Sequence, residues 1–291
     1  MKLPFAFVTI ALLASAAAAD PPPKAADLAQ SVFTLLVEFD AGPDGAGVQR
    51  FGFLPGGAWQ ADQPFDNMNG AAGGVDARNV LVATAAGGDI AWVSADLDEY
   101  GYCGSCGLAR GKPVAYSHGT ILLDKGPAWH SVAWDVTFTA TDANQAKAAK
   151  AGIMPPALTK KIDAGAEAAE KLFEGSLADP TAFAATVSDR KDALLYGSNL
   201  AERYVGGAKV KAQLKAWNLK LALRDGVQAG AVGATIAWVA ANVDATALKS
   251  PKTPSSPYRL FAIYEKTGDS WKLVLANFGI VLSVKPAPAP N

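Results

Sequence analysis

The sequence predicts an α+β chain made of two tandem units, and three observations carry that reading. The stretch Ile90-Ala-Trp-Val-Ser-Ala-Asp-Leu-Asp98 recurs as Ile236-Ala-Trp-Val-Ala-Ala-Asn-Val-Asp244, an offset of 146 residues that brings Trp92 onto Trp238, Ala95 onto Ala241 and Asp98 onto Asp244. Downstream, Tyr116, Ile121, Gly126, Trp129 and Val132 meet Tyr258, Ile263, Gly268, Trp271 and Val274 at an offset of 142. The four residues missing from the second copy fall between matched strands, where loops absorb length changes. Finally, helical periodicity precedes a run of β-rich segments, the order in which helices pack on one face of an antiparallel sheet.

The elements follow in chain order. Residues 1–19 carry a cation at Lys2, an apolar run from Phe5 to Leu13 and small residues at Ala16–Ala19, the pattern of a secretory signal cut near Ala19. The run is shorter than the roughly 18 to 20 apolar residues of a membrane anchor. No cysteine follows it to take a lipid, and no other segment is long enough to span, so no membrane span is expected after cleavage. The stiff leader of residues 20–24, Asp20-Pro-Pro-Pro-Lys24, comes next. Leu28, Val32, Phe33, Leu36 and Val37 then fall at helical spacing over Ala25–Asp40. Ala41–Gly74 is rich in Gly, Asp, Asn and Gln, and its aromatics Phe51, Phe53, Trp59 and Phe65 argue against disorder. Val75–Ala86, Asp89–Asp98, Val114–Leu123 and Trp129–Thr139 read as four strands, closing a first unit over residues 25–140.

Residues 141–156 are polar, Ala-rich and end in Pro155-Pro156, the mark of a linker. In the second unit, residues 157–284, Leu158, Ile162, Ala166, Ala169, Leu172 and Phe173 predict a helix over Ala157–Glu174. Asp179-Pro180 supplies an N-cap and a first-turn proline for a short helix within Ser176–Ser188. A short strand at Ala193–Tyr196 and a helix over Lys209–Trp217 lead into strands at Leu219–Val232, Thr235–Val243, Tyr258–Glu265 and Trp271–Val284. Residues 285–291 are a Pro-rich tail expected to be disordered.

Composition narrows function. Half the residues are hydrophobic (50%), enough for each unit to bury a core, and 26 basic against 27 acidic side chains leave a net charge of −1 with no basic cluster. Phosphate backbones demand clustered Lys and Arg, so no nucleic acid partner is expected. There is no Gly-rich phosphate loop, no Gly-x-Ser-x-Gly elbow and no His-Glu-x-x-His, which removes the common nucleotide, serine hydrolase and metalloprotease readings and leaves no cofactor implied.

The stretch Leu195-Tyr-Gly-Ser-Asn-Leu-Ala-Glu-Arg-Tyr-Val-Gly206, followed by a helix and closing on Ser270-Trp-Lys-Leu-Val-Leu275, resembles the SnoaL-like branch of the nuclear transport factor 2 (NTF2) superfamily. Gly197, Ser198, Asn199 and Glu202 match that family's Gly-Thr-Asp-x-x-Glu-like turn, and Gly268 and Trp271 match its last hairpin. The resemblance covers nearly all of 157–284 and, in the first unit, mainly 75–139, where the turn has no counterpart. It implies two tandem NTF2-like cone-shaped domains, each a curved antiparallel sheet wrapped around helices, the first divergent. The family hosts isomerases, cyclases, hydrolases, dehydratases and proteins that only bind, so the fold does not choose among them. It commonly pairs sheets between subunits, which implies that the two units form an intramolecular pseudo-dimer and the chain a monomer.

On the repeated strand, alternation puts Ile90, Trp92, Ser94, Asp96 and Asp98 on one face, and Ile236, Trp238, Ala240, Asn242 and Asp244 on the corresponding one. Two arrangements have this make-up. One is a pocket wall with an indole against a ligand and a carboxylate to take a proton; the other is a core strand whose acids end in solvent. Function is expected in the second unit, with Tyr196, Trp217, Trp238, Asn242 and Tyr258 as ligand-binding candidates and Asp244 as the candidate base. No catalytic set of the family matches residue by residue. Glu202 of the turn is as well placed to brace the helix after it.

Cys103-Gly-Ser-Cys106 lies in the longer of the two corresponding loops, with His118 and His130 beyond it. In an oxidising compartment the cheaper reading is a Cys103–Cys106 disulfide; a zinc site would need both histidines to face the pair, which the sequence leaves open, and free or redox-active thiols are the third possibility. The reading that results is an exported, periplasmic or extracellular, non-catalytic binding protein, with an apolar small-molecule pocket or a protein-docking sheet. Its partner is then a small apolar or amphipathic molecule or another exported protein. The alternative is a cofactor-independent isomerase, hydratase or hydrolase working by acid and base. Intact-mass measurement of protein recovered from the periplasm or medium should find a chain beginning near Asp20; retention of Met1 would sink the export reading.

Overall fold

Every predicted β-rich run forms a strand. The structure is a computed structural model and describes residues 49–51, 58–60, 75–99, 115–126, 130–138, 157–249 and 255–279. The expected signal segment, the helix over Ala25–Asp40, Cys103, Cys106 and the Pro-rich tail lie outside the described residues. The strands make two sheets. The first holds β1 (Gln49–Phe51), β2 (Ala58–Gln60), β3 (Val75–Thr84), β4 (Ile90–Glu99), β5 (Ala115–Asp124) and β6 (His130–Phe138), in the order β2-β1-β6-β5-β4-β3. The second holds β7 (Lys161–Ile162), β8 (Leu194–Tyr196), β9 (Arg203–Val205), β10 (Leu219–Val232), β11 (Ile236–Ala247), β12 (Ser256–Thr267) and β13 (Ser270–Gly279), in the order β7-β10-β11-β12-β13-β8-β9. Three helices, α1 (Glu167–Ser176), α2 (Pro180–Thr186) and α3 (Gly207–Trp217), accompany the second sheet, and the described fold is α+β.

The sequence repeat is also a repeat of strand order and of irregularities. β3-β4-β5-β6 and β10-β11-β12-β13 are both antiparallel meanders, with Trp92 on β4 and Trp238 on β11. In the third pairing of each, one residue has no partner: Val132 between Ser131 and Ala133, and Val274 between Leu273 and Leu275. Val132 and Val274 are one of the pairs aligned at the offset of 142. The first strand of each meander is bulged too, between Arg78 and Leu81 and between Leu223 and Val227. A bulge bends its strand and raises the local twist, so the paired irregularities curve both sheets at matching places.

Local chemistry sets the helix ends. Asp179 accepts from the Thr181 amide at 2.8 Å, and Pro180 opens α2 as the sequence predicts. α3 ends at Asn218 in the left-handed conformation, φ 50°. α1 is shorter than the predicted helix over Ala157–Glu174. Lys161 and Ile162 instead pair in parallel with β10, the Leu158 carbonyl accepts from Gly226, and Gly165 at φ +93° turns the chain before α1 begins.

The second sheet is apolar on both faces. One face, from Val227, Val239, Ala241, Val243, Leu260, Ala262, Tyr264 and Phe278, packs under the helices against Phe173, Leu177, Phe183, Val210 and Leu214. The other, from Ile236, Trp238, Ala240, Phe261, Ile263 and Leu275, packs on Ala83, Ile90, Trp92, Leu122 and Ala133 of the first sheet. The two tryptophans of the repeat therefore meet in one core layer between the sheets.

Trp238 needs room that only a glycine leaves. Its indole lies over Gly230 on β10, where an added Cβ would stand 2.7 Å from ring atoms. Gly230→Ala should cost about 1–3 kcal/mol, because a rigid ring cannot yield in a packed layer. Gly175→Ala in α1, where a Cβ meets nothing within 4 Å, should stabilise by about 0.5–1 kcal/mol. Denaturant unfolding of the two variants checks the contrast, and equal midpoints would refute it.

Candidate functional site

The five candidate pocket residues and the candidate base Asp244 are not brought together in one place. Trp217 and Tyr258 come together on the helical side of the second sheet. Trp217 at the end of α3 packs edge-to-face on Phe278 at 5.5 Å between centroids and on Tyr204 of β9 at 6.1 Å. Tyr258 meets the same Phe278 at 6.3 Å, as does Phe183 of α2 at 6.5 Å. Phe278 is buried, while Trp217, Tyr204 and Tyr258 are each part-exposed, so this cluster runs from the helical core to the surface. Leu248 extends the rim: it is exposed, and its amide donates to the Asn218 carbonyl at 3.1 Å.

The turn from Gly197 to Glu202 lies beside this cluster, with Ser198 against the Tyr258 hydroxyl. The Gly197 amide donates to the Glu202 carbonyl and the Glu202 amide to the Asn199 carbonyl, both at 2.8 Å. The Asn199 amide donates to Glu202 Oε2 at 3.1 Å, and Asn199 Oδ1 accepts from Ala201 at 3.0 Å. Glu202 thus braces its own turn. Gly197 is required there, since a Cβ would fall 2.2 Å from Glu202 Oε2. Burial, then the charge of Glu202, raise the Tyr204 phenol; burial is the main influence raising Tyr258, with Ser198 and Ser256 opposing and Glu202 adding to the rise. Deeper in the cone the hydroxyl of Tyr264 is buried beside Thr186 and lacks a hydrogen bond of ordinary geometry.

Tyr196, Trp238 and Asn242 lie on the opposite face, against the first sheet, and are not brought together with Trp217 and Tyr258. Tyr196 is fully buried and stacks on His118 of β5, centroids 4.1 Å apart and planes 17° from parallel. Asp96 accepts from or pairs with His118 Nδ1 at 3.0 Å and takes Asn79 Nδ2 on its other oxygen. His118 Nε2 lies 3.5 Å from the Asn199 carbonyl, and Arg203 Nη2 donates to the Asn79 carbonyl at 2.9 Å. Burial alone would raise Asp96, yet His118, Asn79 and Arg203 together hold it below the usual carboxylate range. With both ring nitrogens so engaged, His118 sits in the seam between the sheets.

Asn242 is also a seam residue. It accepts from Arg259 Nε at 3.0 Å and donates to Asp225 at 2.9 Å. Nearby, Asn277 of β13 donates to Asp135 of β6 at 2.6 Å and accepts from Thr137 at 3.1 Å. At the rim, Arg190 donates to Glu265, Asp192 and the Thr84 carbonyl, with its guanidinium 5.1 Å above the Trp92 ring. Asp244, the candidate base, is in neither cluster. It leaves the layer part-exposed and is held in an ion pair with Arg224 on the neighbouring strand, so its carboxylate is a counter-ion rather than a poised base. Sequence reasoning missed Tyr204 and Phe278 in the aromatic cluster, and Asp135, Asn277 and Arg259 in the seam. Tyr204 was within reach, because it stands two residues after Glu202 in the quoted motif. Phase through the bulge at Val274 was not.

No known family profile matches the chain, and no curated protein does. Solved structures similar to it are NTF2-like or of related fold. They include a provisionally named ketosteroid isomerase from Parabacteroides distasonis (18% identity, TM-score 0.32, covering 39% of this chain and 85% of that one). An NTF2-like protein of unknown function from Shewanella oneidensis is similar at 15% identity and TM-score 0.31, covering 39% and 97%. A protein with a cystatin-like fold from Caulobacter vibrioides is similar at 14% identity and TM-score 0.33, covering 41% and 92%.

Asp135 yields a pH prediction. Burial pushes its carboxyl up to about 8, against the opposing charge of Arg259 and the bond from Asn277. Its folded value lies above the roughly 3.9 of an unfolded Asp, so its stabilisation is complete below about pH 4 and is lost as pH rises through about 8. Asp135→Asn keeps an acceptor for Asn277 and does not titrate. Between pH 5 and pH 9 the parent's melting temperature should fall relative to that of the variant; a gap that stays constant with pH would show that this proton is not linked to folding.

Proposed function

We propose that the chain is an exported, non-catalytic binding protein that holds a small apolar or amphipathic molecule in the cone of its second unit, while the first unit serves to cover that unit's outer sheet face. One observation carries the reading: part-exposed Trp217 and Tyr258 pack edge-to-face on the buried Phe278, and part-exposed Tyr204 on Trp217, so that a chain of aromatic rings runs from the helical core to the surface. Aromatic rings leading to an apolar core are the make-up of a small-molecule site, and the orphan Tyr264 hydroxyl offers one polar contact at depth. The polar groups that would be needed for acid and base chemistry support binding rather than turnover. Asp244 is paired with Arg224, Asn242 with Arg259 and Asp225, and Asp96 with His118, each outside the helical face. The signal pattern of residues 1–19 supports export, and the shared core of Trp92 and Trp238 supports a monomer with its sheets paired internally.

The test is native mass spectrometry of the protein as isolated, with and without Trp217→Ala. A small molecule should copurify with the parent and be lost or weakened about tenfold or more in the variant, for an indole contributing roughly 1–3 kcal/mol of contact. Trp92→Ala should instead lower the melting temperature and leave the bound molecule in place. Loss of the molecule from Trp92→Ala alone would move the site to the seam.

A further inference from the structure

We propose that the seam is a proton-dependent joint: the two sheets close on Asp135 in its neutral form, and they part by exposing that carboxyl to water, where it ionises.

Asp135 stands on β6 of the first sheet, fully buried, and among the described residues its carboxyl has one hydrogen-bond partner, Asn277 of β13 in the other sheet. That bond takes Oδ2; Oδ1 is buried and has none. On its own sheet Asp135 pairs with Thr120 of β5, and the next row holds Thr137 and His118, the latter held by Asp96. From the second sheet, Tyr196 of β8 pairs with Asn277, its phenol raised by burial, and Arg203 of β9 is engaged at the Asn79 carbonyl. The cation nearest Asp135 is Arg259 of β12, whose Nε donates to Asn242, which in turn holds Asp225. One buried guanidinium thus stands between two carboxylates, Asp225 and Asp135, and cannot balance both.

An ionised Asp135 is therefore a carboxylate with a single hydrogen bond in a dry layer, which is costly. The neutral acid fits with no strand displaced. With the Asn277 amide turned over, the acid donates to the amide oxygen at 2.6 Å and the amide nitrogen donates to Thr137 Oγ1 at 3.1 Å. The upward push that burial gives this carboxyl, to about 8, agrees with that arrangement. Because the bond crosses from one sheet to the other, parting the sheets frees the acid, which in water has an ordinary value of roughly 3.9. The closed seam then holds a proton that the open one releases. Closure is strongest in acid and weakens about tenfold per pH unit as pH rises, until the closed form itself ionises at about 8.

The test is hydrogen exchange of the full chain by mass spectrometry between pH 5 and pH 9, corrected for the intrinsic pH dependence of amide exchange. Strands β5 and β6 should be less protected than α1 and α3 at every pH, because the joint opens short of global unfolding. Their protection should fall about tenfold per unit from pH 5 to about pH 7 and level off above about pH 8. Asp135→Asn, which keeps an acceptor for Asn277 and cannot ionise, should remove that slope. Protection independent of pH in the parent, protection equal to that of the helices, or a slope retained in the variant would each overturn the joint, the last by assigning the proton to another group such as His118. Should the variant not fold, carbon NMR of the parent decides: an aspartate carboxyl should titrate near pH 8, and its absence overturns the proposal.

Discussion

A sheet that is apolar on both faces cannot stand with one of them in water, and that constraint organises this chain. The second sheet buries Val239, Ala241 and Val243 under its helices and Ile236, Trp238 and Ala240 on its other side, all within one strand. Three helices can cover only one of these faces. The other needs a partner of similar curvature, and a duplicated meander is such a partner, because its bulges fall at matching places. The repeated strand is then explained without a ligand: Trp92 and Trp238 are alike because each fills the layer that the two sheets share.

What the sequence made legible follows the same physics. Richness in β-branched and aromatic residues located every long strand of the described residues, and the offset of 142 aligned Val132 with Val274, each the unpaired residue of a bulge. Alternation even sorted Trp238, Asn242 and Ala240 onto one face correctly. It does not say what lies beyond that face. Whether Trp238 faces a ligand or a second sheet depends on tertiary packing, which a strand's own pattern does not record. Parity also fails once counted through a bulge: Leu273 and Ala276 share the helical face although they are an odd number of residues apart, so Phe278 could not be placed with Trp217 from sequence. The shortening of α1 had a local signal in Gly165, but its apolar spacing outweighed it.

The polar residues of the seam do a different job from its tryptophans. Hydrophobic layers tolerate sliding, whereas Asn277 of the second sheet, bridging Asp135 and Thr137 of the first, is satisfied in one register only. Leaving any of them unpaired in a dry layer costs more than the bond itself contributes, so they act against misregistered pairing of two similar sheets. Gly279 serves the same end, since a Cβ there would run into Thr137. Repetition makes such specificity necessary: two copies with matching strands have many near-equivalent ways to stack.

The hairpin β8–β9 ties the seam to the aromatic cluster. On its seam side, Tyr196 stacks on His118, Asn199 offers its carbonyl to the same ring, and Arg203 holds the Asn79 carbonyl. On its other side, Leu195 joins the helical core, Tyr204 packs on Trp217, and Glu202 folds the turn beside Tyr258. Asn79 is at the β3 bulge with φ 51°, a left-handed conformation that Asn adopts more readily than other side-chain-bearing residues, and its side chain and carbonyl both serve this contact. The first unit therefore does more than exclude water from a sheet face. By fixing both strands of a hairpin whose opposite side carries Leu195 and Tyr204, it sets where the aromatic cluster of Tyr204 and Trp217 stands.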